Sequence, residues 1–502
     1  MASPSARGRP ATVAAMAGQR PQEGVVLALD IGTSSCRASL YDLQARPVAG
    51  GFAHITYTPR VTPEGGAELD PNVLFEQVCS AIERALADTP LPVVAVATAT
   101  FWHSLLGVDS AGQPLTPLYL WLDARSRGEV AGLRQRLDER AIHARTGCVL
   151  HWTYWPAKLT WLRRLQPDVF RSVRRWISFG ELLLERLTGQ AQLSLSMASG
   201  TGLVDVHTCD WDPEILDVLG IDPARLGRIE PLRPSVSTQR WQALKNVPWL
   251  PAVGDGACSN IGAGCANADR VAVMIGTSGA ERVVWSPAAV FEVPWGTWCY
   301  RIDAKRVITG GALNDGGSLL DWLRGTLRLP EHESAEAQVA ALEPDSHGLT
   351  VLPLWGGERS PGWAEDARGA IVGLRLHTSP ADILRACMEA VALRFGEIDR
   401  ILLRTTPNAR EVVATGGALL HSPTWMQIVA DVLERPVLAS AESEASSRGA
   451  SLLALETLGL LEVPLEELRP SAARRFEPVA EHAQRYRAAA ERQRHLYDAL
   501  VV

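Results

Sequence analysis

The 502-residue chain has no apolar run of the roughly 18 residues that a bilayer-spanning helix needs. It has no CxxC pair and no Cys/His spacing suited to zinc. Its eight cysteines are scattered, which argues against a disulfide framework; most read as reduced, buried small hydrophobes. Positive charge is also short, with 49 Lys and Arg against 56 Asp and Glu for a net charge of −7. A nucleic-acid binder usually carries a basic face, so that class is set aside. What remains is a cytoplasmic globular protein with neither a nucleic-acid nor a membrane partner. Aromatic residues make up only 6%, yet 16 of them are tryptophan. Tryptophan can stack on sugar faces, but most are expected in the core or at domain interfaces.

At this length two large domains are expected. Residues 1–23, rich in Ala, Pro, Ser, Arg and Gly, read as a disordered tail.

The stretch VVLALDIGTSSCRASLYD, residues 25–42, is the most informative. An apolar run typical of a buried strand ends at Asp30; Gly32, Thr33, Ser34 and Ser35 follow, then a second strand-like run. A tight turn of this kind can aim N–H groups and hydroxyls at a phosphate, while the carboxylate holds a hydrated Mg²⁺. The tetrapeptide returns as Ile275-Gly276-Thr277-Ser278, nearly half a chain later. One such turn is weak evidence. Two suggest a duplicated domain closing on a nucleotide.

Along the chain, Asp70-Pro71 reads as a helix start, and Phe75, Val78, Ile82 and Leu86 give helical apolar spacing. Val93–Ala99 reads as a buried strand with Trp102, His103 and Ser104 just beyond it, where open α/β sheets bind ligands. His103 could equally satisfy a loop hydrogen bond. Residues 118–125 read as another strand with charges at its end, and 466–502 as a mostly helical tail. Asp255, between Gly254 and Gly256 and ahead of a helix, is either an exposed carboxylate or a helix cap. Glycines 416 and 417, between a strand and a helix, would let a base or phosphate approach the backbone.

Taken in order, LALDIGTSS, TFWHSLLGVD, LWLDARS, GDGACSNIGAG, VMIGTSG, GGSLLDWLR, GERSPGW and TGGALLHSPTW resemble the FGGY family of carbohydrate kinases over about residues 24–495. Within the family the chain is most similar to gluconokinases. The resemblance implies an actin-like α/β fold: two ribonuclease-H-like domains, 24–265 and 266–502, with ATP in the cleft and the sugar against the first domain. It implies Asp255 as the catalytic base and Asp30 as the acid positioning Mg²⁺. Thr33, Ser34 and Arg37 fall in the first phosphate hairpin, and Gly276 and Thr277 in the second. Gly317 and Asp321 fall at the nucleotide, and Gly416, Gly417 and Ala418 at the adenosine loop. Trp102, His103 and Ser104 fall in the sugar segment, with Trp121 and Asp123 nearby. Four positions depart from the family pattern: Trp102 for a frequent Met, Trp155 in the first signature, Cys387 in the second, and Glu434 for a frequent Gly.

The expected activity is ATP-dependent phosphorylation of a sugar acid, gluconate to 6-phosphogluconate. The alternatives are a pentulose kinase for xylulose or ribulose and, from another class, a non-catalytic ATP-binding sensor or scaffold. A substrate carboxylate should need a cation or donors, for which the sequence offers Arg125, His103 and backbone amides. Relatives include dimers, so a homodimer is compatible, though no feature of the chain selects it.

Overall fold

Each repeated tetrapeptide turns a hairpin at the heart of a sheet. The computed structural model describes residues 23–501 apart from 88, 90, 235–237 and 289, so the expected tail lies, but for Glu23, outside the described residues. Strand β1 (Val25–Ile31), buried at every residue, pairs antiparallel with β2 (Ser35–Tyr41), which pairs with β3 (Pro47–Thr56). On its other side β1 lies parallel to β4 (Val93–Thr100), and β4 to the short β5 (Val253–Gly254). The first sheet therefore runs β5-β4-β1-β2-β3.

The second sheet repeats that plan. Strand β6 (Arg270–Ile275) pairs antiparallel with β7 (Gly279–Trp285). Next come β8 (Trp298–Arg301) and β9 (Val307–Leu313), with β9 antiparallel to β7. Beyond β6 lie β10 (Glu411–Thr415) and β11 (Val437–Ser440), both parallel, and β12 (Ala472–Phe476) closes the edge antiparallel. The order is β8-β9-β7-β6-β10-β11-β12. A parallel strand beside each hairpin places both turns at the ligand-binding ends of their sheets.

The helix starts behave as their sequences dictate. Helix α1 (Pro71–Leu86) is capped by Asp70, whose carboxylate accepts from the Asn72 and Val73 N–H groups. Helix α2 is Trp155–Leu165, and α3 (Asp255–Gly262) follows β5 directly. Helix α4 is Gly317–Thr326, and α5 (Pro380–Thr405) opens with a reciprocal Ser379/Asp382 capping box. Then come α6 (Gly417–Leu420), α7 (Pro423–Leu433), α8 (Ala445–Thr457) and α9 (Ala480–Leu500). Glu434 is the C-cap of α7 at φ +52°, in the left-handed region, which is why glycine suits that position. No helix among the described residues is long and apolar enough to cross a membrane. All eight cysteines are free thiols, and all but the half-buried Cys209 are buried.

One expectation changes. The 118–125 stretch is a strand only over Leu118–Tyr119, because the chain turns back where the Asp123 N–H meets the Leu120 carbonyl. The tail is mostly helical as expected, with β12 pairing to the open edge of β11 before α9 begins.

Helix α8, late in the chain, packs on α3 and against β1 and β4 of the first sheet. It lines an apolar cluster with residues from both halves, among them Val26, Val284, Tyr300 and Leu453. At the crossing, a Cβ on Gly449 would lie 1.8 Å from the Cys258 carbonyl oxygen, and one on Gly262 1.8 Å from that of Ala445. Only glycine lets these helices approach so closely.

Strand β7 alternates strictly. Arg282 faces one side, while Glu281 is fully buried on the other, against Asp399 of α5. Burial, together with Asp399, pushes the Glu281 carboxyl well above the ordinary carboxylate range. Arg435 binds the Asp399 carboxylate. The folded state thus holds a proton that the unfolded chain releases near its ordinary pKa, and stability falls as pH rises above that value. Glu281→Gln keeps the side chain's size without the titration. Thermal melts from pH 5 to 9 should show wild type losing ground to the variant; parallel curves would contradict a raised Glu281 carboxyl.

Candidate active site

The hairpin turns meet at the junction of the two sheets. In the first, the Gly32 N–H donates to the Ser35 carbonyl, and the Tyr57 hydroxyl to that of Gly32. Among the described residues no hydrogen bond engages the backbone N–H of Thr33, Ser34 or Thr277. Free amides at a hairpin tip form an anion cradle. The second turn is clamped by the start of α4, with the Gly317 N–H donating to the Gly276 carbonyl at 2.7 Å.

A 510 Å³ cavity opens beside that second turn, lined by Gly276, Thr277, Gly317, Asp321, Gly417 and Ala418 among others. Thus six predicted nucleotide residues stand around one space of suitable size. Gly416 supports it from behind at φ +88°, where a Cβ would lie 2.4 Å from the Ile275 carbonyl oxygen.

A second cavity of 240 Å³ suits one small sugar rather than a polymer. Asp255, Trp102, His103, Trp121 and Thr33 line it from the first half of the chain. Arg282, Trp298, Tyr300, Arg359 and Trp363 line it from the second. The cavity is therefore shared, instead of lying against the first domain, because β8 and the 356–363 loop reach across. Four tryptophans face it, whereas Trp155, Trp176, Trp249 and Trp425 are fully buried.

Asp255 is the first residue of α3 and does not cap it; Gly254 is the N-cap. Its carboxylate accepts the Gly256 N–H at 2.7 Å. Burial pushes its pKa up and Arg282 pulls it back, as suits a general base. Trp102 lies flush on the surrounding backbone, where a Cβ on Gly254 would sit 1.8 Å from the indole and one on Gly256 2.7 Å. Its Nε1–H donates to the Ser196 carbonyl at 3.0 Å.

His103 holds φ +67° and its Nδ1 contacts the Gly200 carbonyl oxygen at 2.5 Å. Burial pushes its pKa down to about 3, so the ring is neutral. A carbonyl can only accept, so Nδ1 carries the proton and Nε2 is left as an acceptor for a hydroxyl. The imidazole is therefore not the cation for a carboxylate. Lys158 on α2, buried, donates to the His103 and Thr153 carbonyls and holds this wall in place. His103→Ala is expected to raise the sugar KM about 10-fold while the ATP KM holds. An unchanged sugar KM would remove His103 from the pocket.

Asp30 stands opposite Arg37 in the β1–β2 register and bonds it at 3.3 Å; Arg37 also pairs with Glu444 at 3.2 Å. Burial, together with Asp255 and Glu444, raises Asp30 to about 7 against the pull of Arg37. A divalent cation would relieve that excess of carboxylates, so the donor set fits Mg²⁺.

Two candidate contacts face elsewhere. The Ser104 hydroxyl accepts the Phe179 N–H at 3.4 Å, and its carbonyl accepts the Trp155 indole N–H at 3.1 Å. Asp123 accepts the Ala67 N–H at 3.1 Å and binds Arg125, which also pairs with Glu68 at 2.7 Å. Arg125 is thereby spent. Trp121 does face the cavity, and its indole N–H donates to the Thr33 hydroxyl at 3.1 Å. The cations in the cavity are Arg282 and Arg359. Their motifs are visible in the sequence, but only strand alternation after the second turn hints that Arg282 points inward.

The sequence and the fold are similar to those of known proteins. Residues 25–262 match the N-terminal domain of the FGGY family of carbohydrate kinases and 271–457 its C-terminal domain. A gluconokinase of Bacillus subtilis (strain 168) is 27% identical over 457 residues, 87% of this chain and 88% of that one. The crystal structure of gluconate kinase from Lactobacillus acidophilus superposes with a TM-score of 0.88 at 27% identity, over 96% of this chain and 99% of the other. Ligand-bound xylulose kinase from the same species also gives 0.88, at 28% identity over 95% and 98%.

Proposed function

The chain belongs to the FGGY family of carbohydrate kinases, and on that premise we propose that it transfers the terminal phosphoryl group of ATP to a sugar acid, D-gluconate, giving 6-phosphogluconate. The observation that carries this reading is the pair of guanidiniums, Arg282 and Arg359, in the cavity that also holds Asp255. Neither makes an ion pair among the described residues. Both are half-buried; a guanidinium held out of water without an ion-pair partner is costly, and an anionic ligand would offset it.

In this reading Asp255 removes the proton from the sugar hydroxyl. The oxygen bonds to the γ-phosphorus as the bond from that phosphorus to the ADP oxygen breaks. The free N–H groups of Thr33, Ser34 and Thr277 receive the phosphates. Asp30 would hold Mg²⁺, which supplies charge neutralisation at those phosphates when bound. Closure of the two halves around bound substrates would exclude water and spare ATP hydrolysis.

The test is ADP release with Mg-ATP against gluconate, xylulose, ribulose, glycerol, erythritol and no sugar. Turnover on gluconate alone supports the reading. A pentulose preference would keep the mechanism and overturn the substrate. ATP bound without turnover on any member would leave a sugar outside the panel or a non-catalytic ATP binder.

A further inference from the structure

Arg282 and Arg359 occupy different positions in the cavity. Arg282 extends from β7 toward the start of α3, and its Nε lies 3.3 Å from where a Cβ on Gly256 would sit. That places the guanidinium beside the residue following Asp255. Among the described residues its side chain makes no hydrogen bond.

Arg359 comes from the 356–363 loop. Its Nη2 donates to the Leu313 carbonyl at 2.9 Å, and its guanidinium carbon lies 5.3 Å from the centre of the Trp121 ring. Its Nε is buried with no partner. The loop is fixed around it. The Ser360 N–H donates to the Ala312 carbonyl at 3.0 Å, and neighbouring Glu358 is gripped by Arg394 and by the Tyr497 hydroxyl at 2.6 Å. A donor held rigidly without an acceptor is preorganised for a ligand that supplies one. Both guanidiniums line the cavity that holds Asp255, Arg282 from the side of Gly256 and Arg359 from the side of Trp121.

We propose that the two arginines divide the substrate: Arg359, over Trp121, binds its carboxylate, and Arg282, beside Gly256, faces the hydroxyl oxygen and incoming phosphoryl group at Asp255. Anchoring the charged end at Arg359 leaves the opposite end of the carbon chain at the base. The terminal hydroxyl is then the one phosphorylated. This assignment rests on the sugar-acid reading above.

The test compares gluconate with the neutral polyol D-glucitol in wild type, Arg359→Gln, Arg359→Lys and Arg282→Gln. Arg359→Gln should raise the gluconate KM about 10- to 150-fold, keep kcat within a few fold, and raise the glucitol KM far less than the gluconate KM. Arg359→Lys, which keeps the charge but loses the fork, should fall between. Arg282→Gln should lower kcat about 10²-fold on both substrates with little change in KM. An unchanged gluconate KM in Arg359→Gln, or equal losses on both substrates in that variant, would overturn the division of roles. Failure of the sugar-acid reading itself looks different: wild type would then prefer a neutral sugar before any variant is made.

Discussion

Replacing Asp255 with asparagine is expected to lower kcat by about 10²- to 10⁴-fold while sugar and ATP binding change little. The amide is nearly the same shape, and its oxygen can still accept the Gly256 N–H that the carboxylate accepts at 2.7 Å. It cannot take a proton. The pH profile should also change. Burial raises the Asp255 carboxyl, against the opposing pull of Arg282, and Asp30 stands nearby. The base works only when ionised, so wild-type activity should climb with pH through a limb above the ordinary carboxylate range. That limb should vanish in the residual activity of Asp255→Asn. ADP release measured from pH 5 to 9 checks both points. A variant with wild-type kcat would remove Asp255 from the chemistry.

The second large effect concerns stability. Gly449→Ala places a Cβ 1.8 Å from the Cys258 carbonyl oxygen and 2.6 Å from its carbon. Both are backbone atoms of α3, inside a helix that carries Asp255, so no rotamer change can relieve the overlap. Parting the helices would open the apolar cluster that α8 shares with both halves. A loss of about 3–5 kcal/mol is expected, at the upper end for a single substitution. Gly325→Ala is the matched comparison, since it lies in α4 with nothing within 4 Å. It should be neutral or stabilising by up to about 1 kcal/mol. Thermal or denaturant unfolding of both variants, with Gly262→Ala as a third, reads the contrast. Equal melts for Gly449→Ala and Gly325→Ala would show that the crossing yields.

Local signals were the legible ones. The hairpins at 32–34 and 276–278 depend on neighbouring residues alone, and their recurrence exposed the duplication. The Asp70 and Ser379 caps read correctly for the same reason. Gly254 and Gly256 were visible as a motif, although the indole of Trp102 that requires them lies about 150 residues away in sequence. Convergence over long range was not legible. Arg359 reaches the cavity from a loop beyond the second sheet, and nothing local marks it as a binding group. Ser104 and Asp123 show the opposite error. Being polar near a strand end places a residue close to a site but does not aim it; Ser104 turns to the Phe179 backbone and Asp123 to Arg125. The β12 edge was missed because Ala-Ala-Arg-Arg-Phe has no pattern of its own and becomes a strand by pairing with β11.

The return of α8 to the first sheet also bears on how the chain can be divided. A fragment ending at residue 265 would lack the helix that covers β1, β4 and α3, leaving an apolar face in water. A fragment beginning at 266 would carry that helix with nothing to lay it on. The two pieces should therefore be insoluble or molten apart, yet assemble when mixed or co-expressed. Such complementation makes the kinase a natural split reporter, with activity returning only when α8 finds its seat.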